Sequence, residues 1–287
     1  MKRVSPVLAG LRKKLRLFSI VATSAGFGAL ALPAPPAAAQ STWPAGLKAE
    51  YEVGYNGFNV GSFVFKAEAE QQSYTLTGSA NLSMLLGMIS WSSDIRSFGS
   101  LVQQAPKPAV YAFDARSGSR AASTRVSFEA GSVATVAHSP QMPAKPDAVP
   151  VREQHLKGVV DPLSAMMLVT QGASPCDRRI PIFDGYERFD LVLSRKGETR
   201  LPEQAGGHSV VAQVCQVRYV PIAGHIPDGD TKFMASNGGI EVVMRPVPGA
   251  RIYVPYQITI PMPLGSATLV SKRVEVTQGG RKTALLH

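Results

Sequence analysis

The chain has 287 residues, of which 30 are Lys or Arg and 20 are Asp or Glu, giving a formal net charge of +10. The first 39 residues hold six of the 30 basic side chains and no acidic one, so residues 40–287 carry 24 basic against 20 acidic side chains. This near balance gives no basis for a nucleic-acid partner. The 248 residues after residue 39 suffice for one substantial hydrophobic core.

The N-terminal segment has the order of a secretory signal peptide. A basic start precedes an apolar stretch from Leu17 to Leu32, and Ala37-Ala38-Ala39 supplies the small residues of a cleavage site. The sequence therefore predicts a signal peptide over residues 1–39, cleavage after Ala39 and a periplasmic location. The alternative is an uncleaved N-terminal anchor. No later stretch reaches the roughly 18 apolar residues of a membrane span, so no transmembrane segment is predicted after signal removal.

Beyond the signal, period-two alternation predicts strand after strand. The clearest case occupies every second position from Ile252 through Tyr256 to Ile260. Further strands are predicted over residues 50–55, 63–70, 73–82, 90–101, 109–116, 121–129, 132–138, 188–193, 209–220, 239–246 and 266–277. The predicted fold class is mainly all-β, with one strongly curled antiparallel sheet or open barrel in a single domain over residues 40–287.

Short-range signals mark turns and one helix. Asn56-Gly57 predicts a type I′ hairpin, because both central residues of that turn need positive φ. Residues 161–171 predict a short helix with Asp161 as N-cap and Gly172 as a stop. Its apolar composition indicates that it is buried against the inner face of the sheet. The Pro-rich stretch 139–152 before it predicts a loop.

The chain contains two cysteines, Cys176 and Cys215. An even count in an exported chain favours a disulfide, which here would close a loop of about 40 residues. The alternative is a reactive thiol or a metal-binding pair. No neighbouring Cys or C-x-x-C pattern supports it.

Motifs for catalysis and cofactor binding are absent from the sequence, which has no G-x-S-x-G, P-loop or H-E-x-x-H pattern. No cofactor or metal site is therefore predicted. His225, Asp228 and Asp230 have the chemistry of metal ligands. A solvated loop with a turn at Asp228-Gly229 explains the same residues, and we favour it.

A second polar cluster follows residue 183. Asp184 could act in catalysis together with Asp190 or Arg188. A hairpin opened by Asp184-Gly185, with Arg188 in an ion pair beside it, is the favoured interpretation.

The remaining polar candidates also have purely structural explanations. His138, His155 and His208 are expected at the surface. Arg178 and Arg179 could bind an anion, but a solvated edge strand explains them equally well.

Aromatic residues on predicted strands are the candidate ligand-binding positions. Those that could line a lipid-sized cavity are Tyr51, Tyr55, Phe63, Phe65 and Tyr256. Core packing is the alternative for them, as it is for the other strand aromatics, Trp43, Trp91 and Tyr253. Periodicity does not distinguish a filled barrel from a hollow one.

Several motifs, taken in order, resemble the bacterial envelope family catalogued as domain of unknown function 3108. They are Tyr51-Glu-Val-Gly-Tyr with Val60-Gly61, Asp161-Pro-Leu-Ser-Ala, Phe183-Asp-Gly-Tyr-Glu-Arg, Cys215-Gln-Val-Arg-Tyr with Ile222-Ala-Gly224, and Tyr253-Val-Pro-Tyr. The resemblance implies an exported, mostly antiparallel protein with a strongly curled sheet, and it supplies no catalytic residue. The broad layout is also similar to curled-sheet periplasmic carriers of lipoproteins and to envelope-integrity proteins, at the level of the fold alone.

Three functional hypotheses follow from these observations. The leading one is a non-enzymatic periplasmic protein of the cell envelope, which binds a partner protein or a lipid-like apolar ligand on its curled sheet. The second is a hydrolase-type enzyme acting on envelope polymers, with Asp184, Asp190 or His225 in acid–base roles. The third is a purely structural scaffold.

Overall fold

The computed structural model describes residues 43–84, 88–141, 143, 145–170, 174–201, 209–247 and 252–286. The predicted signal peptide, the predicted helix stop Gly172 and His208 lie outside these residues. None of the helices in the described ranges is long and apolar enough to cross a membrane.

Strands dominate the structure. They are β1 (Gly46–Tyr55), β2 (Phe58–Glu70), β3 (Ser73–Met84), β4 (Ile89–Val102), β5 (Ala105–Ser117), β6 (Arg120–Glu129), β7 (Ser132–Ser139), β8 (Arg178–Phe183), β9 (Arg188–Leu201), β10 (Val210–Ala223), β11 (Ile240–Pro246), β12 (Tyr253–Met262), β13 (Gly265–Gln278) and β14 (Arg281–Leu286). Two α-helices, α1 (Pro162–Thr170) and α2 (Gly229–Ser236), and a 3-10 turn (Glu153–Leu156) interrupt them.

All these strands belong to one antiparallel sheet, as predicted. Its order is β7-β6-β5-β4-β3-β2-β1-β13-β12-β11-β10-β9-β8, with β14 also paired to β13. The first arm, β1 to β7, is a meander of consecutive hairpins, and β8 to β13 form the second arm. Strand β1 joins the arms by pairing with β13 from Gly46↔Thr277 to Tyr55↔Ala267. The other edge of β13 pairs first with β12 and then with β14.

The two end strands of the sheet are linked by the segment 157–160, which precedes α1. Ser132 of β7 forms a bridge with Lys157, and Ile182 of β8 forms a bridge with Val160. Two backbone hydrogen bonds of 3.0 Å fix Val160 to β8. The sheet is therefore not closed strand to strand, but this segment lies across the opening.

Helix α1 lies inside the curl of the sheet, as its apolar sequence predicts. It contacts β3, β4 and β5 of the first arm and β8 and β12 of the second. Its N-cap is Asp161, whose Oδ1 accepts hydrogen bonds from the backbone N–H groups of Leu163 and Ser164, both at 3.0 Å. The predicted start of the helix is therefore confirmed.

The hydrophobic core follows the two arms, and α1 connects its parts. Leu163 and Met167 pack into the main cluster beneath the first arm and the β1–β13 junction. Ala165, on another side of the helix, packs into the cluster beneath the second arm. A helix with a single apolar face could pack into only one of these clusters. The sequence of α1 is apolar nearly throughout because more than one of its faces is buried.

The predicted disulfide is present. Cys176 and Cys215 are bonded, with their Cα atoms 5.4 Å apart, and no cysteine of the chain is free. The bond joins the segment before β8 to the middle of β10. Both residues are buried in the cluster beneath the second arm, so the disulfide fixes the end of the sheet that follows α1.

Three elements differ from the sequence-based expectation. Strand β8 was not among the predicted strand ranges, because its six residues, Arg178–Phe183, include two arginines and a proline that interrupt the alternation. Its place at the end of the sheet agrees with the edge-strand interpretation of Arg178 and Arg179. The C-terminal strand β14 is equally short and begins with charged residues. Helix α2 occupies what was expected to be a loop. It has no buried residue, so it lacks the apolar stripe on which helix prediction depends.

Candidate ligand cavity

An apolar cavity of about 350 Å³ lies between α1 and the concave face of the second arm. The described residues that line it share apolar side chains, apart from one tyrosine: Phe63, Pro162, Ala165, Met166, Ile182, Phe189, Leu191, Leu193, Val217, Tyr219, Met234, Ile240, Val242, Pro255, Ile258, Ile260 and Leu269. This volume falls within the range of roughly 300–1,000 Å³ that is typical of small-molecule pockets. The predicted helix and the predicted sheet thus leave space between them.

The wall of the cavity follows from strand periodicity. In β9, Phe189, Leu191 and Leu193 face the cavity, because successive side chains of a strand alternate between the two faces. Asp190 of the same strand points to the other face, where it pairs with arginines. Strand β9 therefore directs its apolar residues to the cavity and Asp190 to the opposite face.

A hydrogen-bond network in the interior fixes the helix that forms one side of the cavity. The Asp161 Oδ2 atom accepts from the Ser97 hydroxyl at 2.8 Å and from the Ser164 hydroxyl at 2.6 Å. The Ser164 hydroxyl also lies 2.7 Å from the hydroxyl of Tyr74. Both serines and Asp161 are fully buried. The network thereby ties the start of α1 to strands β3 and β4.

Burial dominates the electrostatics of this network. It raises the pKa of the Asp161 carboxyl above its ordinary value, and hydrogen bonds from Ser164, Ser97 and Leu163 offset part of the increase. Burial also raises the pKa of the Tyr74 phenol, to which the Asp161 charge adds. No salt bridge to Asp161 is found among the described residues, and its carboxyl group is satisfied by hydrogen bonds alone.

The polar content of the cavity is confined to Tyr219. Its phenol donates a hydrogen bond of 3.1 Å to Oε2 of Glu187 in the β8–β9 turn, and its ring packs on Phe189 with centroids 5.3 Å apart. The described lining therefore carries no carboxylate, imidazole or amine that could act on a bound molecule. Such a surface selects ligands by apolar contact area and shape.

The predicted ligand-binding aromatics are dispersed. Phe63 lines the cavity. Tyr51 and Phe65 are buried in the main core cluster, and the Tyr51 phenol donates to the backbone oxygen of Pro255 at 3.2 Å. Tyr55 is half-buried near the end of the sheet and donates to the backbone oxygen of Leu264 at 3.1 Å.

Tyr256 is displaced from the cavity wall by a β-bulge. Strand β12 pairs Gln257 with Val243 and Pro255 with Met244, so Tyr256 has no partner on β11. The bulge changes the alternation, and Pro255 and Ile258 line the cavity on either side of it. Uninterrupted alternation had placed Tyr256 on the same face as Ile258 and Ile260.

The candidate acid–base residues are engaged in separate local interactions. The Asp184 Oδ1 atom accepts from the backbone N–H groups of Tyr186 and Glu187 at 2.8 and 2.7 Å, which closes the β8–β9 turn. Burial raises the pKa of this carboxyl, and these hydrogen bonds offset part of the increase. No hydrogen bond joins Asp184, Asp190 and His225 to one another within the described part of the chain.

Asp190 is a buried ion-pair residue. Its Oδ1 lies 2.5 Å from Nη1 of Arg188, and its Oδ2 contacts the largely exposed Arg179. Arg188 is nearly buried as well. Arg188 therefore forms an ion pair beside the β8–β9 turn, as expected for the hairpin interpretation. Its partner is Asp190 and not Asp184.

The candidate metal residues have other roles. Asp228 caps helix α2 by accepting from the Thr231 N–H group at 2.9 Å, an interaction that lowers the pKa of its carboxyl. His225 is buried next to β10, and its backbone oxygen accepts from Val149 of the Pro-rich loop at 2.9 Å. Asp230 is exposed in the first turn of α2. No group of three or more potential ligands is found among the described residues.

A second, shallower depression of about 410 Å³ lies where the Pro-rich loop meets the β8–β9 turn. His138 and Tyr186 stack in it with ring centroids 4.2 Å apart, and both hydrogen-bond to Thr124. These contacts hold the first arm against the second.

Two other candidate polar residues make local hydrogen bonds. His155 closes the 3-10 turn by accepting at Nδ1 from the N–H of Arg152. Arg178 donates to the backbone oxygen of Ser174 at 2.6 Å.

Most residues of the cavity wall were not singled out from the sequence. Leu191, Leu193 and Val217 belong to predicted strands, but ordinary core residues have the same pattern. Met166 was predicted to be buried, although not beside a cavity. The sequence did contain one usable signal. Seven strands direct apolar residues inward, and these are more than one nine-residue helix can cover.

Comparison with known proteins places the chain in a family. A model of the family described as "Protein of unknown function (DUF3108)" matches residues 50–271. No functionally curated protein matches the chain. A crystal structure of a beta-barrel-like protein of domain of unknown function DUF1849 from Brucella abortus is similar at 11% identity, with a TM-score of 0.48, over 82% of this chain and 99% of that one. Since the family model covers more than half of the sequence, the chain belongs to the DUF3108 family of proteins of unknown function.

Proposed function

We propose that this protein is a non-enzymatic binding protein of the bacterial cell envelope, and that it holds an acyl-chain type of ligand in the cavity beside α1. The observation that carries the proposal is the cavity itself, about 350 Å³ in volume and walled by apolar side chains. A ligand of this class gains roughly 0.8 kcal/mol for each methylene group that leaves water. About ten buried methylenes contribute about 8 kcal/mol before the cost of association is subtracted, so we expect a dissociation constant weaker than micromolar.

The chemistry of the lining favours binding over catalysis. The one polar group on the described wall, the Tyr219 phenol, is hydrogen-bonded to Glu187. Asp184, Asp190 and the cap of α2 serve the backbone or ion pairs. A catalytic site needs an acid, base or nucleophile within about 3 Å of the reacting atom. The cavity offers contact area and no such group.

An envelope location is part of the proposal. The sequence of residues 1–39 supports export, and the Cys176–Cys215 disulfide is typical of proteins in an oxidising compartment. A periplasmic carrier or receptor also has a reason to shield acyl chains, since these are poorly soluble in water.

The test is displacement of a fluorescent apolar probe. Protein recovered from the bacterial periplasm is titrated with N-phenyl-1-naphthylamine, and dodecanoate is then added as competitor. We expect probe fluorescence to rise on binding and to fall as dodecanoate displaces it. Extraction of the purified protein with organic solvent, followed by mass spectrometry, identifies any acyl lipid that accompanies it from the cell.

A matched pair of variants on β13 locates the site. Leu269 lines the cavity and is half-buried, whereas its half-buried neighbour Val270 points to the other face of the sheet. We expect Leu269→Gln to weaken probe and dodecanoate binding by about tenfold, since a polar amide replaces apolar contact area. Val270→Gln should bind as the unmodified protein does. Equal effects of the two substitutions, or no probe binding at all, would refute the proposal.

A further inference from the structure

We infer that one end of the sheet docks on a phospholipid bilayer through three neighbouring hairpin tips. They are the β1–β2, β3–β4 and β12–β13 tips, which connect strands that lie side by side in the sheet. The inference goes beyond ligand binding. The choice of a bilayer as the occupant rests on the proposed function, because β2, β12 and β13, which end at two of these tips, also line the cavity.

Exposed apolar side chains are concentrated at this end. Phe58, Met88 and Leu264 are 75%, 85% and 84% exposed, which makes them the three most exposed large hydrophobic residues described. Each belongs to a different tip. Met84 and Met262, at 40% and 41%, add to the β3–β4 and β12–β13 tips. Scattered surface hydrophobics are normal in soluble proteins, but a cluster at adjacent turns marks an interaction surface.

Hydrogen bonds between turns hold two of the tips together. The side chain of Asn56, in the β1–β2 turn, accepts from the Ser266 N–H at 2.8 Å and donates to the Leu264 backbone oxygen at 3.1 Å. Register places the third tip beside them, since Leu82 of β3 pairs with Gly61 of β2 and Met84 extends two residues further. The centres of neighbouring tips are two inter-strand distances apart, so the strand ends at these tips form a row at intervals of about 10 Å.

The tips are uncharged, and basic residues flank them on one side. Residues 53–65, 79–93 and 257–271, which contain the three tips, include no Asp, Glu, Lys, Arg or His. The next tip on one side, between β5 and β6, carries the exposed Arg116 and Arg120, whereas the β10–β11 connection on the other side carries the exposed Asp228, Asp230 and Lys232. The arginine side therefore faces anionic headgroups, and uncharged apolar tips next to basic residues favour insertion into the interfacial region of such membranes.

The row is continuous with the cavity. Phe63, Ile260 and Leu269 line the cavity, and each lies within five residues of a tip on the same strand. At about 3.3 Å per residue, Ile260 is roughly 7 Å along β12 from Met262. Docking by the tips would therefore bring the cavity close to the acyl layer, which gives a protein that binds acyl chains a route for loading and release.

Vesicle flotation tests the inference on the protein recovered from the periplasm. Vesicles of phosphatidylethanolamine and phosphatidylglycerol are compared with vesicles of phosphatidylcholine alone. We expect flotation with the anionic vesicles, and weaker flotation with the neutral ones. A triple substitution at the tips, Phe58→Ser with Met88→Ser and Leu264→Ser, should lower the affinity for anionic vesicles at least about tenfold, because each serine removes apolar area from the contact.

A matched triple variant controls for general loss of surface hydrophobicity. Phe98, Val102 and Val211 are 46–50% exposed and lie away from the three tips, and their replacement by Ser should leave vesicle binding unchanged. Leu264→Trp adds a direct readout: brominated acyl chains should quench its fluorescence once vesicles are added.

Each other outcome overturns the inference. No flotation of the unmodified protein, or equal flotation of the two triple variants, refutes docking. If the tip variant instead converts a dimer into a monomer and vesicles never bind, the occupant is a second copy of the chain. Probe binding in vesicle-free solution separates the two proposals, since the tip variant should retain it. If the unmodified protein binds the probe but not vesicles, docking alone is refuted; if it binds vesicles but not the probe, the cavity proposal alone is refuted.

Discussion

Substitution of Asp161 tests whether the interior network holds helix α1 in place. In Asp161→Ala the helix loses its N-cap, which costs about 0.5–2 kcal/mol in comparable helices. The buried hydroxyl of Ser97 also loses its carboxylate acceptor and keeps only a 3.1 Å contact with the Ser164 hydroxyl, so its loss falls at the lower end of the range of about 1–3 kcal/mol for an unsatisfied buried polar group. Ser164 retains its contact with Tyr74, so its loss is smaller. The total is about 3 kcal/mol, or a decrease in melting temperature of roughly 6–12 °C for a domain of this size.

Asp161→Asn is the matched variant, because its amide oxygen can still accept from the backbone and its NH2 group can donate to the hydroxyls. The comparison of wild type with Asp161→Asn also has a pH dependence of known sign. Burial raises the pKa of Asp161 in the folded state, so the folded protein retains the proton to higher pH than the unfolded chain. The wild type should then lose stability relative to Asp161→Asn as the pH rises through that raised pKa.

The assay is urea unfolding of wild type, Asp161→Ala and Asp161→Asn at pH 4.5 and pH 7.5, followed by far-ultraviolet circular dichroism. We expect the difference in the free energy of unfolding, wild type minus Asp161→Asn, to be smaller at the higher pH. A difference that stays constant or grows with pH would show that the carboxyl is not desolvated. An Asp161→Ala protein as stable as wild type would show that the network does not position α1.

Three further substitutions test other parts of the fold by the same urea assay. Replacing both cysteines of the disulfide by alanine should lower the free energy of unfolding by about 2–4 kcal/mol, since the bond spans 39 residues of sequence; an unchanged midpoint would contradict this. A Cβ at Gly224, where φ is +83°, would lie 2.0 Å from a backbone oxygen, whereas Gly118 has open space around it. Gly224→Ala should therefore cost at least about 2 kcal/mol more than Gly118→Ala, and equal costs would contradict the close approach. Asp190→Ala should cost about 3–5 kcal/mol because it leaves a nearly buried arginine unpaired, while Arg179→Ala, at an exposed site, should cost less than about 1 kcal/mol; similar costs would argue against a buried pair.

Local chemistry made much of the fold predictable. Asn56 and Gly57 have φ values of +50° and +84°, as the predicted turn requires. The Asp161-Pro162 start of α1 and the Cys176–Cys215 bond are likewise determined by residue types with few alternative uses. Long strands with clean alternation were identified for the same reason, since only one face of each could be buried.

The remaining features depend on contacts between distant residues. The pairing of β1 with β13 brings together residues about 220 positions apart, and nothing local to either strand specifies it. The bulge at Tyr256 arises from the register between β11 and β12, which a single strand's sequence does not contain. A cavity is a difference between the volume enclosed and the volume filled, so no residue of its wall has a distinctive pattern of its own. This explains why Phe63 was selected together with Tyr51 and Phe65, although only Phe63 lines the cavity.

The crossing of residues 157–160 between β7 and β8 has a consequence for colloidal behaviour. An open sheet normally ends in two strands whose free N–H and C=O groups can template a neighbouring molecule. Here Lys157 pairs with Ser132 of β7 and Val160 pairs with Ile182 of β8, so strand addition by a neighbouring molecule is hindered at these two positions. We therefore expect this four-residue connection to lower the tendency of β7 and β8 to pair with strands of a neighbouring molecule.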